Sequence, residues 1–305
     1  SRIISSQRIR NTDSHKQLIT TQVTGNNQLL MTISIPDTLT ADNSGKYIMS
    51  IRLRSDGLSF SGYSPSESET FFYRNVEFDR TKPYVSSLKE FFFEHEFMTY
   101  SYRRTNLVCV TPQYTVVPEE VFTDKQKTDL LSFTFSAPEN KCLHNLLTRE
   151  AAEVVFGMDE EVYEFCSRSL INPSFIHHMT PQLALWKQQS RMLIPRQLYV
   201  VLHRKMMDVV CFAQGKLLFV NTFEYDKPDD ILYYILYVWK QVGMDQERDQ
   251  LHIYGGVSLR NSITTTLRNY IQYISPAEIP SDAYLLGAEV VQAPLDLIAL
   301  SVCEL

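Results

Sequence analysis

The sequence predicts an α/β protein made of two related halves, each a mixed sheet in which a three-strand meander is followed by helix, strand and helix. Three observations carry this. Period-two alternation bounded by turn residues gives three consecutive strands in each half. A Lys-Pro pair then opens an amphipathic helix both times. One stretch also recurs, since Phe78-Asp79-Arg80-Thr81-Lys82-Pro83 matches Phe223-Glu224-Tyr225-Asp226-Lys227-Pro228 with the same offset at Phe and at Pro, as a duplicated unit would give.

In the first half, Tyr47 to Leu53 alternates and meets the turn signal Arg54-Ser55-Asp56-Gly57. Leu58 to Tyr63 returns as a hairpin, and Phe71 to Phe78 is the third strand. After Lys82-Pro83, the apolar positions Leu88, Phe91, Phe92 and His95 follow helical spacing, and Asn106 to Val110 is the fourth strand. In the second half the strands are Leu198 to His203, Met207 to Phe212 and Lys216 to Phe223. The helix after Lys227-Pro228 has Ile231, Ile235, Val238, Trp239 and Val242 on one face and Gly243 as its cap. Leu251 to Tyr254 follows as a strand, then Gly255-Gly256 as a turn, and a helix from Ser258 to Tyr273.

The middle, Thr111 to Arg191, interrupts the repeat. It predicts a polar helical stretch from Pro118 to about Leu131, an alternating segment Leu131 to Phe135 and a buried strand Ala151 to Phe156. A helix over Asp159 to Ser169 with Val162, Phe165 and Cys166 inward comes next, then a short strand Phe175 to His178 and a helix Pro181 to Gln189 passing between halves. The expected organisation is an N-terminal extension over 1–46 with one edge strand, Leu29 to Ile35, and loose first residues. A first half over 47–191 follows, with an inserted subdomain at about 112–150, and the second half covers 192–305.

Bulk properties narrow the function classes. The 305 residues carry a net charge of −6, which argues against a general binder of nucleic-acid backbone. No window reaches the roughly 18 apolar residues of a membrane span, and the first residues lack the apolar region of a signal peptide. The five cysteines, Cys109, Cys142, Cys166, Cys211 and Cys303, are widely spaced, most of them among apolar neighbours, and read as buried hydrophobes of a reduced, cytoplasmic compartment. His177-His178 sits on an expected strand, where adjacent side chains face opposite ways, so a shared metal ion is not expected. Asp159-Glu160-Glu161 and Asp229-Asp230 are acids of helix first turns.

This doubled plan resembles the actin-like superfamily of sugar kinases, heat-shock ATPases and actins, of RNase H-like topology. Leu251-His252-Ile253-Tyr254-Gly255-Gly256-Val257-Ser258 resembles the superfamily's adenosine motif, and the interrupted middle resembles the pilus-assembly and general-secretion actin-like proteins. More narrowly, Ser50-Ile51-Arg52-Leu53-Arg54-Ser55-Asp56-Gly57-Leu58-Ser59-Phe60 and Phe175-Ile176-His177-His178-Met179-Thr180-Pro181 resemble segments of an uncharacterised bacterial domain-of-unknown-function family. The resemblance covers roughly residues 47–300. It implies a cleft between halves whose nucleotide-facing residues are Asp56, Gly57, Arg204, Lys205, Gly255, Gly256 and Ser258, with ATP as the ligand if one binds.

The departures from the superfamily pattern bear on function. Active members carry an acid at the end of the first strand, followed by Gly and a hydroxyl residue. Here Arg52 and Arg54 occupy that strand and the acid, Asp56, comes late. The second phosphate loop reads His203-Arg204-Lys205-Met206-Met207, with neither glycine to wrap a phosphate nor an acid to hold magnesium. The sequence therefore predicts a non-catalytic or weakly nucleotide-binding assembly or scaffold protein with an unknown protein partner. Tyr233, Tyr234 and Tyr237 are candidates for its contact surface. The alternative is an ATP-dependent phosphotransferase or ATPase using Asp56 and Asp208 as unorthodox carboxylates. A nucleic-acid enzyme of RNase H-like type would need clustered carboxylates for two metals and is the least supported.

Overall fold

The computed structural model describes residues 21–22, 30–31, 33–147, 151–276 and 278–303. The chain forms two compact units, Ser1–Thr38 and Leu39–Leu305. In the first, β1 (Thr21–Gln22) and β2 (Leu30–Met31) pair antiparallel. Of the strand expected over Leu29 to Ile35, Leu29 and Thr32 lie outside the described residues, and 33–35 carry no regular structure. The opening dozen residues, expected to be loose, also lie outside them.

The second unit contains two five-stranded sheets of one design. In the first, β3 (Ile48–Arg54), β4 (Gly57–Tyr63) and β5 (Phe72–Glu77) form the meander, and α1 (Tyr84–Glu94) leads to β6 (Arg104–Cys109), which lies parallel to β3. In the second, β11 (Gln197–Leu202), β12 (Met206–Ala213) and β13 (Lys216–Glu224) do the same. There α5 (Pro228–Gln241) leads to β14 (Gln250–Tyr254), parallel to β11. Strand orders are β10-β6-β3-β4-β5, with β10 at Ser174–His177, and β13-β12-β11-β14-β15, with β15 at Tyr273–Pro276. The matched Phe-to-Pro stretches both run from the third strand to the start of the following helix, with Pro83 as the N-cap of α1 and Pro228 in the first turn of α5.

In the second sheet, the side chains on one face of the central strands are buried beneath α5 and α6 (Val257–Leu267). Leu198, Val200, Met207, Val209, Cys211, Leu251 and Ile253 are buried against Ile231, Ile235, Val238 and Trp239 of α5 and Ile263 and Leu267 of α6. The first sheet has an additional cover. The chain's last helix, α7 (Leu295–Val302), puts Leu297 and Ile298 among Tyr63, Phe71 and Val108, so the C-terminus returns to the first sheet.

Between the sheets, β7 (Tyr114–Pro118), β8 (Lys141–Leu147) and β9 (Ala152–Met158) make a separate three-stranded antiparallel sheet with β9 in the middle. The helix α3 (Glu160–Ser169), capped by Asp159 accepting from the Val162 N–H at 2.9 Å, leads back to β10. Then α4 (Met179–Ser190) crosses towards β11.

Several expected elements are corrected. The polar helix expected from Pro118 is two single helical turns, Glu119–Val121 and Asp124–Gln126, followed by α2 (Lys127–Thr134). Leu131 to Thr134 is consequently the last turn of a helix rather than an alternating segment, and only Phe135, the cap, is extended. Leu131 packs on Cys142 and Val155 while Phe133 faces solvent, a choice that five residues alone do not encode. The helix expected to reach Tyr273 ends at Leu267, after the β-branched run Thr264-Thr265-Thr266, and Tyr273–Pro276 forms an edge strand instead. His95 caps α1 half-buried, stacked on Phe91 with centroids 4.1 Å apart. Phe165 is only partly buried, and β8 and α7 had no expected counterpart.

Candidate functional site

Two hairpin tips from different sheets meet. The β3–β4 turn presents Asp56, and the β11–β12 connection presents His203, Arg204 and Lys205. Arg204 Nη1 lies 3.3 Å from Asp56 Oδ2. Arg54 Nε donates to Asp56 Oδ1 at 3.0 Å, and Arg80 Nη2 is 3.8 Å from Oδ2. Partial burial raises the Asp56 pKa, but the hydrogen bond and charge of Arg54 and the hydrogen bond of Arg204 outweigh it and hold the carboxyl below its ordinary range. Lys205 turns away to Asp226 at 3.5 Å.

The glycines of this region serve close packing. A Cβ on Gly57 would lie 2.1 Å from the Val76 carbonyl oxygen, so the start of β4 must be glycine for β5 to pair there. Gly255 has φ +136°, and a Cβ there would lie 2.8 Å from the Leu202 Cβ. This places the Gly255-Gly256 turn beside the end of β11, one residue before His203. Gly256, by contrast, has ordinary backbone angles and nothing within 4 Å of a built Cβ. Ser258 is exposed in the first turn of α6. Of the seven candidate residues, the structure joins Asp56 directly to Arg204, sets Gly57 and Lys205 on the same two hairpins, and leaves Gly256 and Ser258 facing open space.

Behind the tips lies a buried polar chain that the sequence did not reveal as a unit. Arg52 of β3 does not reach solvent. It is buried, and its Nε sits 2.9 and 2.8 Å from the two carboxylate oxygens of Asp296 on α7. Its Nη2 is 3.4 Å from His203 Nδ1. The other ring nitrogen, His203 Nε2, lies 2.6 Å from Asp208 Oδ2, and His178 Nε2 lies 3.0 Å from Asp208 Oδ1. The Thr222 hydroxyl donates to Asp208 Oδ1 at 2.7 Å, with the Tyr114 hydroxyl 3.1 Å from Thr222 Oγ1. Burial pushes the Asp208 carboxyl up, yet the charges and hydrogen bonds of His178 and His203 more than offset it and keep it well below the usual range.

His178, His203 and Asp208 bring three ligand-type atoms within 4.8 Å of one another. The neighbours favour a hydrogen-bond relay over a metal centre. A metal-bound imidazole normally donates its other N–H to an acceptor. Here His203 Nδ1 faces the guanidinium of Arg52, which offers no acceptor, while Nε2 faces the Asp208 carboxylate. The His178 Nδ1 is buried with no hydrogen-bond partner. The two adjacent histidines are also closer than strand geometry implied. His178 has helical backbone angles as the cap of α4, so its ring lies 4.4 Å from that of His177. His177 donates from Nε2 to the Thr111 carbonyl at 2.9 Å, and burial first, then the charge of His178, lowers its pKa well below the ordinary value.

With this geometry in view, the comparisons place the chain. A family model described as a protein of unknown function, DUF3822, matches residues 36–274. The chain belongs to the DUF3822 family. A crystal structure from Bacteroides thetaiotaomicron, described as having an actin-like ATPase fold and unknown function, is 30% identical to this DUF3822 protein. It superposes with TM-score 0.76 over 87% of this chain and 99% of its own. The type IV pilus biogenesis complex PilM–PilN matches at 11% identity and TM-score 0.50, over 83% of this chain and 98% of that one. No curated protein matches. The DUF3822 chain therefore has the actin-like ATPase fold that its doubled strand pattern predicted, and among the described residues no helix is long and apolar enough to cross a membrane.

Proposed function

We propose that this DUF3822 protein is an actin-like assembly or scaffold protein that does not turn over nucleotide and works through protein contacts. The observation carrying this reading is the Asp56 carboxylate, which sits where the two hairpin tips meet and has its oxygens engaged by Arg54, Arg204 and Arg80. A phosphate entering between the tips would have to part the Asp56–Arg204 pair, and a magnesium ion would find the acid already neutralised. The likeness to one component of a two-protein pilus complex is one of fold alone. It is compatible with a protein partner here, and the partner remains part of the proposal. The cysteines are free among the described residues, which suits a reduced, cytoplasmic setting.

The competing reading, an ATPase or phosphotransferase, draws on one feature. The first turn of α6, following Gly256, is exposed and lacks a side-chain cap, leaving backbone donors free for an anion. Thermal unfolding with ATP–Mg²⁺ and with ADP separates the two. A ligand that binds only the folded state raises the midpoint with concentration. No rise at millimolar nucleotide supports the scaffold reading, and a concentration-dependent rise with phosphate release overturns it.

A further inference from the structure

The two meanders end in strands of opposite circumstance. The start of β5 and the residues leading into it are covered by the chain's own C-terminal segment. The Tyr73 N–H donates to the Glu289 carboxylate at 3.0 Å, the Phe71 N–H to the Leu286 carbonyl at 2.9 Å, and the Glu69 N–H to the Leu285 carbonyl at 3.3 Å. Its counterpart β13 pairs with β12 on one side and, among the described residues, with no strand on the other. Among the described residues it is the longest strand, nine residues, and between Lys216 and Glu224 it carries neither charge nor proline. Leu218 is 39% exposed on it, and the Thr222 N–H is met by the side chain of its neighbour Asn221. An edge with these properties is a template for another strand, because its outward N–H and C=O groups need partners and nothing on it repels one.

The charges at its ends indicate which strand. Lys216 opens β13 and Glu224 closes it. Both are exposed, and neither takes part in an ion pair among the described residues. A two-fold axis near Val220 would run a second copy of β13 antiparallel to the first. That sets the Lys216 end of each against the Glu224 end of the other, an isologous contact with matching charge at both ends. The register irregularity of β13 falls at the Lys216 end, and Phe219 to Glu224 pair with β12 without interruption. Such an axis keeps both copies of α5 on one face of the joined sheet, where Tyr233 and Tyr237 stack with centroids 6.0 Å apart and are 62% and 49% exposed.

We propose that β13 is a homodimerisation edge, on which a second copy of this chain adds its own β13 antiparallel to make one continuous sheet. This names a partner for the assembly reading and rests on that reading for its purpose only, since the contact lies on a sheet edge and uses none of the hairpin-tip residues. Sedimentation equilibrium of the full 305-residue chain tests it. A dimer is expected, weakened on the order of tenfold in Kd by Lys216→Glu and likewise by Glu224→Lys, and restored when both changes are combined. Both side chains are exposed, so unfolding temperatures of the variants should stay close to that of the parent. A parent chain that remains monomeric overturns the proposal. So does a dimer indifferent to both single changes, or a double variant as weak as either one. None of these outcomes bears on nucleotide, which the thermal titration decides separately.

Discussion

Arg52 of β3 and Asp296 of α7 form an ion pair in which the two side chains are 5% and 1% exposed, joining the first strand of the first five-stranded sheet to the C-terminal helix. A buried pair of this kind adds little net stability when whole, but removing one partner strands a charge in a medium that cannot solvate it. Asp296→Ala should therefore cost about 3–5 kcal/mol, read as a lower denaturant midpoint. Replacing both residues with apolar ones of similar volume should cost much less. A single variant with an unchanged midpoint would show the pair to be solvated.

Leu297, fully buried between α7 and the first sheet, gives a second test of that tether. Leu297→Ala should lose about 2–5 kcal/mol. A loss below that range would mean that the helix contributes little to the core of the first sheet.

The adjacent glycines of the β14–α6 turn should behave in opposite ways. Gly255→Ala meets Leu202 and requires a backbone angle that L residues rarely adopt, so it should destabilise the protein by roughly 1–3 kcal/mol. Gly256→Ala has room and an ordinary conformation, and its stability should be unchanged. If Gly256→Ala instead abolishes a nucleotide-dependent rise in melting temperature, the turn belongs to a working nucleotide site.

Stability should fall as pH drops from about 6.5 towards 4. Burial lowers the His252 pKa to about 4 and the His177 pKa well below its usual value. Both groups therefore bind a proton more readily when unfolded, and protonation in that window favours the unfolded chain. Asp208, also depressed, adds stability that is present above the ordinary carboxylate range and lost only as pH falls through its still lower folded pKa. His252→Gln, which keeps a donor for the Gln197 Oε1 that His252 meets at 2.6 Å, should flatten part of the slope between pH 6.5 and 4 in urea titrations. An unchanged slope would assign it to His177 alone.

The Asp56–Arg204 contact should matter little to stability. Arg204 is 57% exposed, and pairs of that kind contribute about 0–1 kcal/mol. Arg204→Ala should shift the melting midpoint only slightly. A large loss would mean that the hairpin tips hold the halves together.

The strand pattern, the two Lys-Pro helix starts and the repeated Phe-to-Pro stretch were legible because they rest on period and turn chemistry, which are local. The hairpin tips were legible too, since the turn signals around Asp56 and Arg204 are local. The departures from the sequence-based expectation fall where a choice depends on remote atoms. Leu131 to Thr134 became helix because β8 and β9 offered Leu131 an apolar seat. His178 joined Asp208 because a helix cap, not a strand, sets its backbone.

What the sequence by itself determined is the α/β class and the doubled order of elements, since both are written in spacing a few residues long. Only the tertiary structure decided that Arg52 would be buried against Asp296 rather than solvated, that one carboxylate would anchor His178, His203 and Thr222, and that the start of β5 would be met by the C-terminal segment while β13, among the described residues, has a strand on one side alone. The physical reason is one throughout. A charge or an unpaired backbone group finds its partner by proximity in space, and those partners come from elements far apart in the chain.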